Sequence, residues 1–156
     1  MALSLNLVWE VRPSTGVDTN GGGYLPGASG TDFSQQAAAQ YALTGLTSAG
    51  AGAIILTASA AADMVGNVIN ITSGTNFTTG HYQITSVSVG VSITVDRNCT
   101  TGAGASGVGN IGGAKQTIGA MNTILTTANQ NATGQIVWVK AEATITVGAG
   151  ISFAPN

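Results

Sequence analysis

The stretch from Gly66 to Asp96, G-N-V-I-N-I-T-S-G-T-N-F-T-T-G-H-Y-Q-I-T-S-V-S-V-G-V-S-I-T-V-D, constrains the fold more than any other part of the chain. Its runs of β-branched and aromatic residues are interrupted at Ser73-Gly74, Thr79-Gly80 and Val89-Gly90. Glycine takes the positive φ of a tight turn without a Cβ clash, so these interruptions read as turns. The pattern predicts three strands, Val68 to Ile71, His81 to Val87 and Val91 to Val95, joined as an up-down-up meander. In the third strand Val91, Ile93 and Val95 alternate with Ser92, Thr94 and Asp96, the period of two expected when one sheet face is buried. The meander is a scaffold without a catalytic constellation, and the class it implies is all-β.

Composition limits the partners. Charged residues make up 6% of the 156 positions, four basic and six acidic, against a usual ~25%. Apolar residues make up 44% and the net charge is −2, which is the opposite of a disordered chain. Nothing here forms a basic footprint for nucleic acid or a polybasic patch for an anionic membrane, so neither is expected as a partner. So few charges on a chain of this size point instead to a surface covered by neighbours, a homo-oligomer. The single cysteine, Cys99, rules out an internal disulfide and reads as a small buried residue rather than a reactive thiol. The N-terminus has no basic region, and Ser4 and Asn6 interrupt its apolar run, so a cleaved leader is not expected. No run of ~18 apolar residues occurs, so no spanning helix is expected either, and synthesis in the cytosol follows. The Asn-x-Ser/Thr triplets at Asn70, Asn76, Asn98 and Asn131 reflect the abundance of Asn and Thr.

Three regions are expected. Residues 1–33 comprise a strand and a glycine-rich arm. Leu3, Leu5, Leu7, Trp9 and Val11 alternate with Ser4, Asn6, Glu10 and Arg12, which predicts one nine-residue strand ending at Pro13. That strand either completes its own sheet or crosses to a neighbour's. The following loop, Ser14 to Asp32, has Tyr24, Leu25 and Pro26 as its one bulky apolar group, which either pins the arm to another surface or folds back on its own domain. Residues 34–113 form a β domain around the meander. In it S-Q-Q-A-A-A-Q-Y-A-L reads either as a helix turn or, in preference, as a short turn and a strand entering at Gln40 with Tyr41 and Leu43 on one face. Ala53 to Leu56 reads as a strand, and A-A-D-M-V-G reads as a single helical turn or tight loop with Asp63 as cap or turn residue. Gly102, Gly104 and Gly107 match the spacing of a dinucleotide-binding loop, but more glycines follow where a helix should open, and no acidic residue appears before Glu142. A glycine loop is therefore expected there, and no cofactor. Residues 114–156 carry a short helix, Thr117 to Ala128, with Ile118, Met121, Leu125 and Ala128 on one face. Two strands follow, Gln135 to Lys140 and Thr144 to Val147. Trp138 reads as a core or subunit-contact residue in preference to a sugar platform.

Four segments carry a resemblance: G-G-G-Y-L-P-G-A-S-G-T-D-F-S-Q-Q, D-M-V-G-N-V-I-N-I-T-S-G-T-N-F-T-T-G-H-Y-Q-I-T-S-V, G-G-A, and Q-I-V-W-V-K-A-E-A-T-I-T. Together they resemble the N-terminal regions of tailed-phage virion surface proteins, among them head fibres, capsid-decorating proteins and tail spikes. In that group a small β domain often precedes a short helix and the entry to a right-handed parallel β-helix, which usually reads Gly-Thr-Tyr and here reads Ala143-Thr144-Ile145. The resemblance implies a small antiparallel β-sandwich or barrel-like domain with glycine-rich loops and one short helix, ending in a strand pair like a β-helix entry and assembling as a trimer. Asn156 comes too early for a solenoid of about three coils, so the solenoid is either missing or reduced to a first coil at a trimer contact. The implied partners are further copies of the chain and a major capsid or tail-adaptor protein, in the virion. The residues expected at such contacts are Leu3, Leu5, Leu7, Trp9, Tyr24, Leu25 and Trp138.

Some tail spikes cleave polysaccharide with paired carboxylates. Here the acidic residues are scattered singly, and His81 has no sequence partner for nucleophilic or metal chemistry, so a structural histidine is expected and neither a catalytic set nor a metal site. Asp96 and Arg97 read as closing a turn or as a subunit ion pair. A decorating protein and the anchor of a glycan-binding spike both fit, and the length of the native gene separates them.

Overall fold

A computed structural model of the chain describes residues 3, 6–126, 134–140 and 142. The described residues are mostly β, with one α-helix. Six strands close into an antiparallel barrel: β2 (Tyr41–Ser48), β3 (Ile54–Leu56), β4 (Val68–Phe77), β5 (Gly80–Ser88), β6 (Ser92–Val95) and β7 (Thr100–Ile111). The order around the barrel is β2-β3-β6-β5-β4-β7. A separate parallel pair, β1 (Val8–Val11) and β8 (Ile136–Val139), lies in register Val8↔Ile136 to Val11↔Val139. The helix α1 (Ile118–Thr126) connects the two parts.

The expected meander is present as β4, β5 and β6, with turns at Thr78-Thr79 and at Val89-Gly90, where Gly90 has φ +70°. Ser73-Gly74 is no turn. β4 runs through it with bulges, and Gly74 (φ +141°) lets the strand pass β7 closely, since a Cβ there would sit 2.7 Å from both Gly107 Cα and Phe77 Cδ2. In β6 Ile93 and Val95 are buried as the alternation predicts, while Val91 lies in the turn before the strand and is exposed.

The glycine stretch after Asp96 is the largest departure from expectation. It is the longest strand of the barrel, paired with β2 on one side and β4 on the other. Glycine is suited to it because a six-stranded barrel has a narrow interior. Large side chains from the facing strands fill the space a β7 side chain would need: a Cβ at Gly104 or Gly107 would lie 2.7 Å from the Phe77 ring, and one at Gly109 would lie 2.9 Å from Ile69 Cδ1. Ser48 fixes the far end by accepting from the Gly104 N–H at 2.8 Å and donating to the Gly102 carbonyl.

Inside the barrel Leu46, Ile55, Ile69, Ile71, Ile84 and Ile93 are fully buried. A second core lies outside the barrel wall, where Leu3, Leu7, Trp9, Val11, Met121 and Ile124 pack around Val68 of β4. Strands β4 and β5 are therefore sandwiched between the two cores, and V-I-N-I and H-Y-Q-I are buried on both faces. The N-terminal and C-terminal regions thus share one core instead of forming separate units.

The N-terminal expectations need correction. The strand covers only Val8–Val11, because Asn6 takes φ +62° and breaks it. Leu5 lies outside the described residues, as do Ala128 and the expected strand Thr144 to Val147. Of the two options for the strand, the chain takes the first and pairs with its own β8. The arm is a strap: Tyr24 bridges Val8 on one side and Asn67 on the other, and its hydroxyl donates to the carbonyls of Ala28 (3.0 Å) and Gly30 (2.9 Å). The Tyr24-Leu25-Pro26 group folds back on its own chain. The A-A-D-M segment forms the single turn expected, Ala62–Met64, with Asp63 as a turn residue and not its cap, and the Asp63 carboxylate accepts from the Tyr41 hydroxyl at 2.9 Å.

Candidate functional site

Where β7 ends, Gly112 and Gly113 (φ +69° and +78°) turn the chain beneath β1. Lys115 is then held along its backbone: its N–H donates to the Glu10 carbonyl (2.9 Å) and its carbonyl accepts from the Arg12 N–H (2.8 Å). That pairing turns the side chain inward, where it is fully buried. Its Nζ donates to the Asp18 carbonyl at 3.0 Å and to the Asn20 carbonyl, and it lies 2.7 Å from His81 Nε2. One amine thus ties the strap, strand β5 and the chain leading to α1.

The surroundings explain why the strap is rich in glycine. The Trp9 ring meets the His81 ring edge-on at 6.2 Å. Gly22 and Gly23 lie flat against the indole, where Cβ atoms would come within 2.5 and 2.7 Å of ring carbons. Burial lowers the Lys115 amine to about 7, partly opposed by the Asp18 charge. The Asp18 carboxylate starts the helix, accepting from the N–H groups of Gln116 (2.9 Å) and Thr117 (2.8 Å) and from the Thr117 hydroxyl (2.9 Å). The Thr117 hydroxyl accepts from the Ala120 N–H at 3.0 Å, the bond of an N-cap. Beside this cluster lies a cavity of about 450 Å³, bordered by Asp18, Asn70, Thr72, His81, Lys115 and Thr123.

Chemically this is a tie. A lysine ammonium has three hydrogens, and the two carbonyls and His81 take all three directions. Asp18 is engaged with the helix start and is the single carboxylate among the described residues that border the cavity. Among the described residues no group of three or more His, Cys, Asp or Glu could hold a metal ion. His81 is buried and hydrogen-bonded. Asp96 and Arg97 form the turn-closing ion pair within the chain (2.7 Å). Asp96 also accepts from the Gln83 N–H, and the guanidinium lies 4.3 Å over the Tyr82 ring. Burial pushes the Cys99 thiol up to about 11, the state of an inert core residue.

The expected contact residues divide. Leu3, Leu7, Trp9 and Tyr24 are buried in their own chain and Leu25 packs against the same core, so they are not available to a partner in this fold. Trp138 is the opposite case, 63% exposed and therefore no core residue. It stands on β8 between Ile136 (46% exposed) and Val139 (44%). Beside it runs a cleft of about 410 Å³ bordered by Glu10, Arg12, Gln35 and Lys140. The charges around this face are paired among themselves: Arg12 with Glu10, and Glu142 with Lys140 at 3.3 Å and with Arg12 at 3.9 Å. Among the described residues β8 pairs with β1 alone.

Sequence reasoning missed Lys115. Its one signal is position, a single cation within an otherwise uncharged run from Asn98 to Val139, and that does not distinguish a buried lysine from an exposed one. Comparisons with protein-family models, curated proteins and solved structures give no match to this chain.

Proposed function

We propose that the chain is a non-enzymatic structural protein of a tailed-phage particle that decorates or stabilises the capsid surface as a homo-oligomer. The observation that carries this reading is the β8 face. Ile136 and Trp138 stand exposed on one face of β8, with Val139 exposed on the other, and the charges beside them are already neutralised in pairs. Exposed aromatic and aliphatic groups with matched charges suit a contact between protein surfaces, with a large side chain at its centre. The sequence resemblance supplies the setting, a virion, and the partners, further copies of the chain and a capsid or tail-adaptor protein.

A second reading has its own support. β1 and β8 run parallel, and a parallel pair is a starting surface on which the coils of a parallel β-helix could stack. In that case the chain is the anchoring part of a tail spike or fibre whose distal part binds host glycan.

The test combines assembly and location. Sedimentation at micromolar concentration is expected to show an oligomer that Trp138→Ser reduces to the 15.4 kDa monomer with an unchanged circular dichroism spectrum. Cryo-electron microscopy of particles carrying the protein is expected to place it on the capsid lattice, whereas density on the tail selects the second reading. A parent protein that sediments as a monomer and is absent from particles overturns both.

A further inference from the structure

We propose that the cavity between helix α1 and the outer face of β4 and β5 binds a neutral pyranose residue, two of whose neighbouring hydroxyls donate to Asp18 and Asn70. The cavity holds about 450 Å³, within the range of small-molecule sites. It shares no bordering residue with the cleft at Trp138, so sugar binding and assembly are independent.

Asn70 is the central group. It is the Cα partner of His81 on β5 and of Asn110 on β7, so the three side chains stand in a row on the outer face of the barrel. Asn70 is 8% exposed. Its Nδ2 donates to the Thr19 carbonyl at 3.0 Å, and Asn110 Nδ2 donates to the same oxygen. A carbonyl can only accept, which fixes the orientation of both amides. Asn70 borders the cavity, and its Oδ1 bonds to no described group, which leaves a buried side chain with an acceptor still to fill. Thr19 follows Asp18 in the chain, so the same bond to the strap brings the Asp18 carboxylate to the rim of the cavity.

The groups still to be satisfied are mainly acceptors. Asp18 Oδ1 takes two N–H groups and Oδ2 takes one hydroxyl, so Oδ2 keeps a lone pair. The Thr72 hydroxyl donates to the Val108 carbonyl at 3.3 Å and can still accept. Thr79, exposed in the turn between β4 and β5, can donate or accept. A ligand must therefore bring several donors placed close together. Charge narrows the class. An anion would face the Asp18 carboxylate, and a cation would face the amine of Lys115, which borders the same cavity. No Trp, Tyr or Phe borders it among the described residues, so a planar base has nothing to stack on. Adjacent hydroxyls on a neutral ring meet these demands, with Ala120 and Ile124 of α1 against its C–H groups. Without an aromatic partner, an affinity of about 1–10 mM is expected for so small a ligand.

Titration of the isotope-labelled whole chain, followed through its backbone amide shifts, tests this with glucose, galactose, mannose and N-acetylglucosamine up to ~50 mM. At least one is expected to give saturable shifts centred on Thr19, Asn70, Gly80 and Ala120. Methyl glycosides of the same sugars separate a residue at the end of a glycan, which carries a substituent at its anomeric carbon, from a free sugar. Thr79→Val, which keeps the shape and removes the hydroxyl at an exposed site, is expected to weaken binding at least threefold. Ala120→Leu, which fills the space from the helix side, is expected to weaken it at least tenfold, and either variant serves should the other not fold. No saturable shift with any of these sugars overturns the proposal. So do shifts centred on Trp138 and the rest of β8, which place the sugar in the other cleft. Stronger shifts at the same amides with phosphate or putrescine overturn it by assigning a charged ligand, and binding unchanged in the variants overturns it too.

Discussion

Lysine is among the residues least often buried, and Lys115 is tolerated because its backbone is clamped to β1 and its amine reaches the Asp18 and Asn20 carbonyls and His81 Nε2. Its titration links that burial to stability. The amine is lowered from 10.5 to about 7 in the folded chain. Between those values the unfolded chain binds a proton that the folded chain does not, so stability is fully present above the unfolded value and is lost as the pH falls towards 7. Urea unfolding is therefore expected to show stability rising from pH 7 to 8.5 by about 1 kcal/mol per pH unit, with the rise absent in Lys115→Met. Cys99 acts in the opposite direction. Its thiol is raised from 9.0 to about 11, so its contribution is lost as the pH climbs past 9, and the measurement belongs below that point. An equal slope in parent and Lys115→Met contradicts the assignment. None of this was legible in the residue type. Glycine-rich flanks and one isolated cation suggest an exposed loop, and only the tertiary pairing of Glu10 and Arg12 with the Lys115 backbone turns the side chain inward.

At the scale of the element, what the sequence reveals depends on whether inward-facing positions carry side chains. β4, β5 and β6 could be read because Ile69, Ile71, Tyr82, Ile84, Ile93 and Val95 alternate with polar residues or lie in short apolar runs. β7 could not, since three of its inward positions are Gly104, Gly107 and Gly109, with Thr100 and Ile111 only at its ends, and a strand that contributes mostly space instead of side chains shows no hydrophobic period. The N-terminal alternation named the buried residues correctly at Leu3, Leu7, Trp9 and Val11, yet overestimated the strand, because the pattern does not register a break in φ at Asn6. The role of the β7 glycines is testable. Gly107→Ala places a methyl 2.7 Å from the Phe77 ring and 2.8 Å from Leu46 Cβ, and overpacking of this kind costs about 1–3 kcal/mol. Gly50→Ala, which meets nothing within 4 Å, is expected to stay within about 0.5 kcal/mol of the parent. Adding Phe77→Leu to Gly107→Ala should recover part of the loss, because the two sites share one space. Urea midpoints for the variants decide it, and a neutral Gly107→Ala would mean that β7 has room for side chains.

For the whole molecule, the question is which of the two cores carries the fold. The barrel core is drawn entirely from residues between Leu43 and Ile111, and its hydrogen-bond ladder closes on itself. The outer core needs the barrel, since Leu7, Trp9, Met121 and Ile124 pack around Val68 on the wall between them. Dependence therefore runs one way. A fragment of residues 27–116 keeps the turn before β2, where Gly113 donates to Phe33 and Ala114 to Gln36, and keeps the Asn67 amide on the Thr31 carbonyl (2.7 Å) and on the Phe33 N–H (3.1 Å). The backbone groups it loses, such as the Val68 N–H that bonds Gly23, become exposed to water and so remain satisfied. Its cost is apolar. Uncovering Val68 and removing its neighbours forfeits burial of roughly 1.5–3 kcal/mol for each large side chain of the outer core. The fragment is expected to unfold in one cooperative transition at a lower temperature than the full chain, to keep the strand signal in circular dichroism, and to bind a hydrophobic dye on the bared β4–β5 wall. A fragment without a cooperative transition would show that the strap and β1 are part of the folding unit, and would place the origin of stability in the outer core instead of the closed ladder.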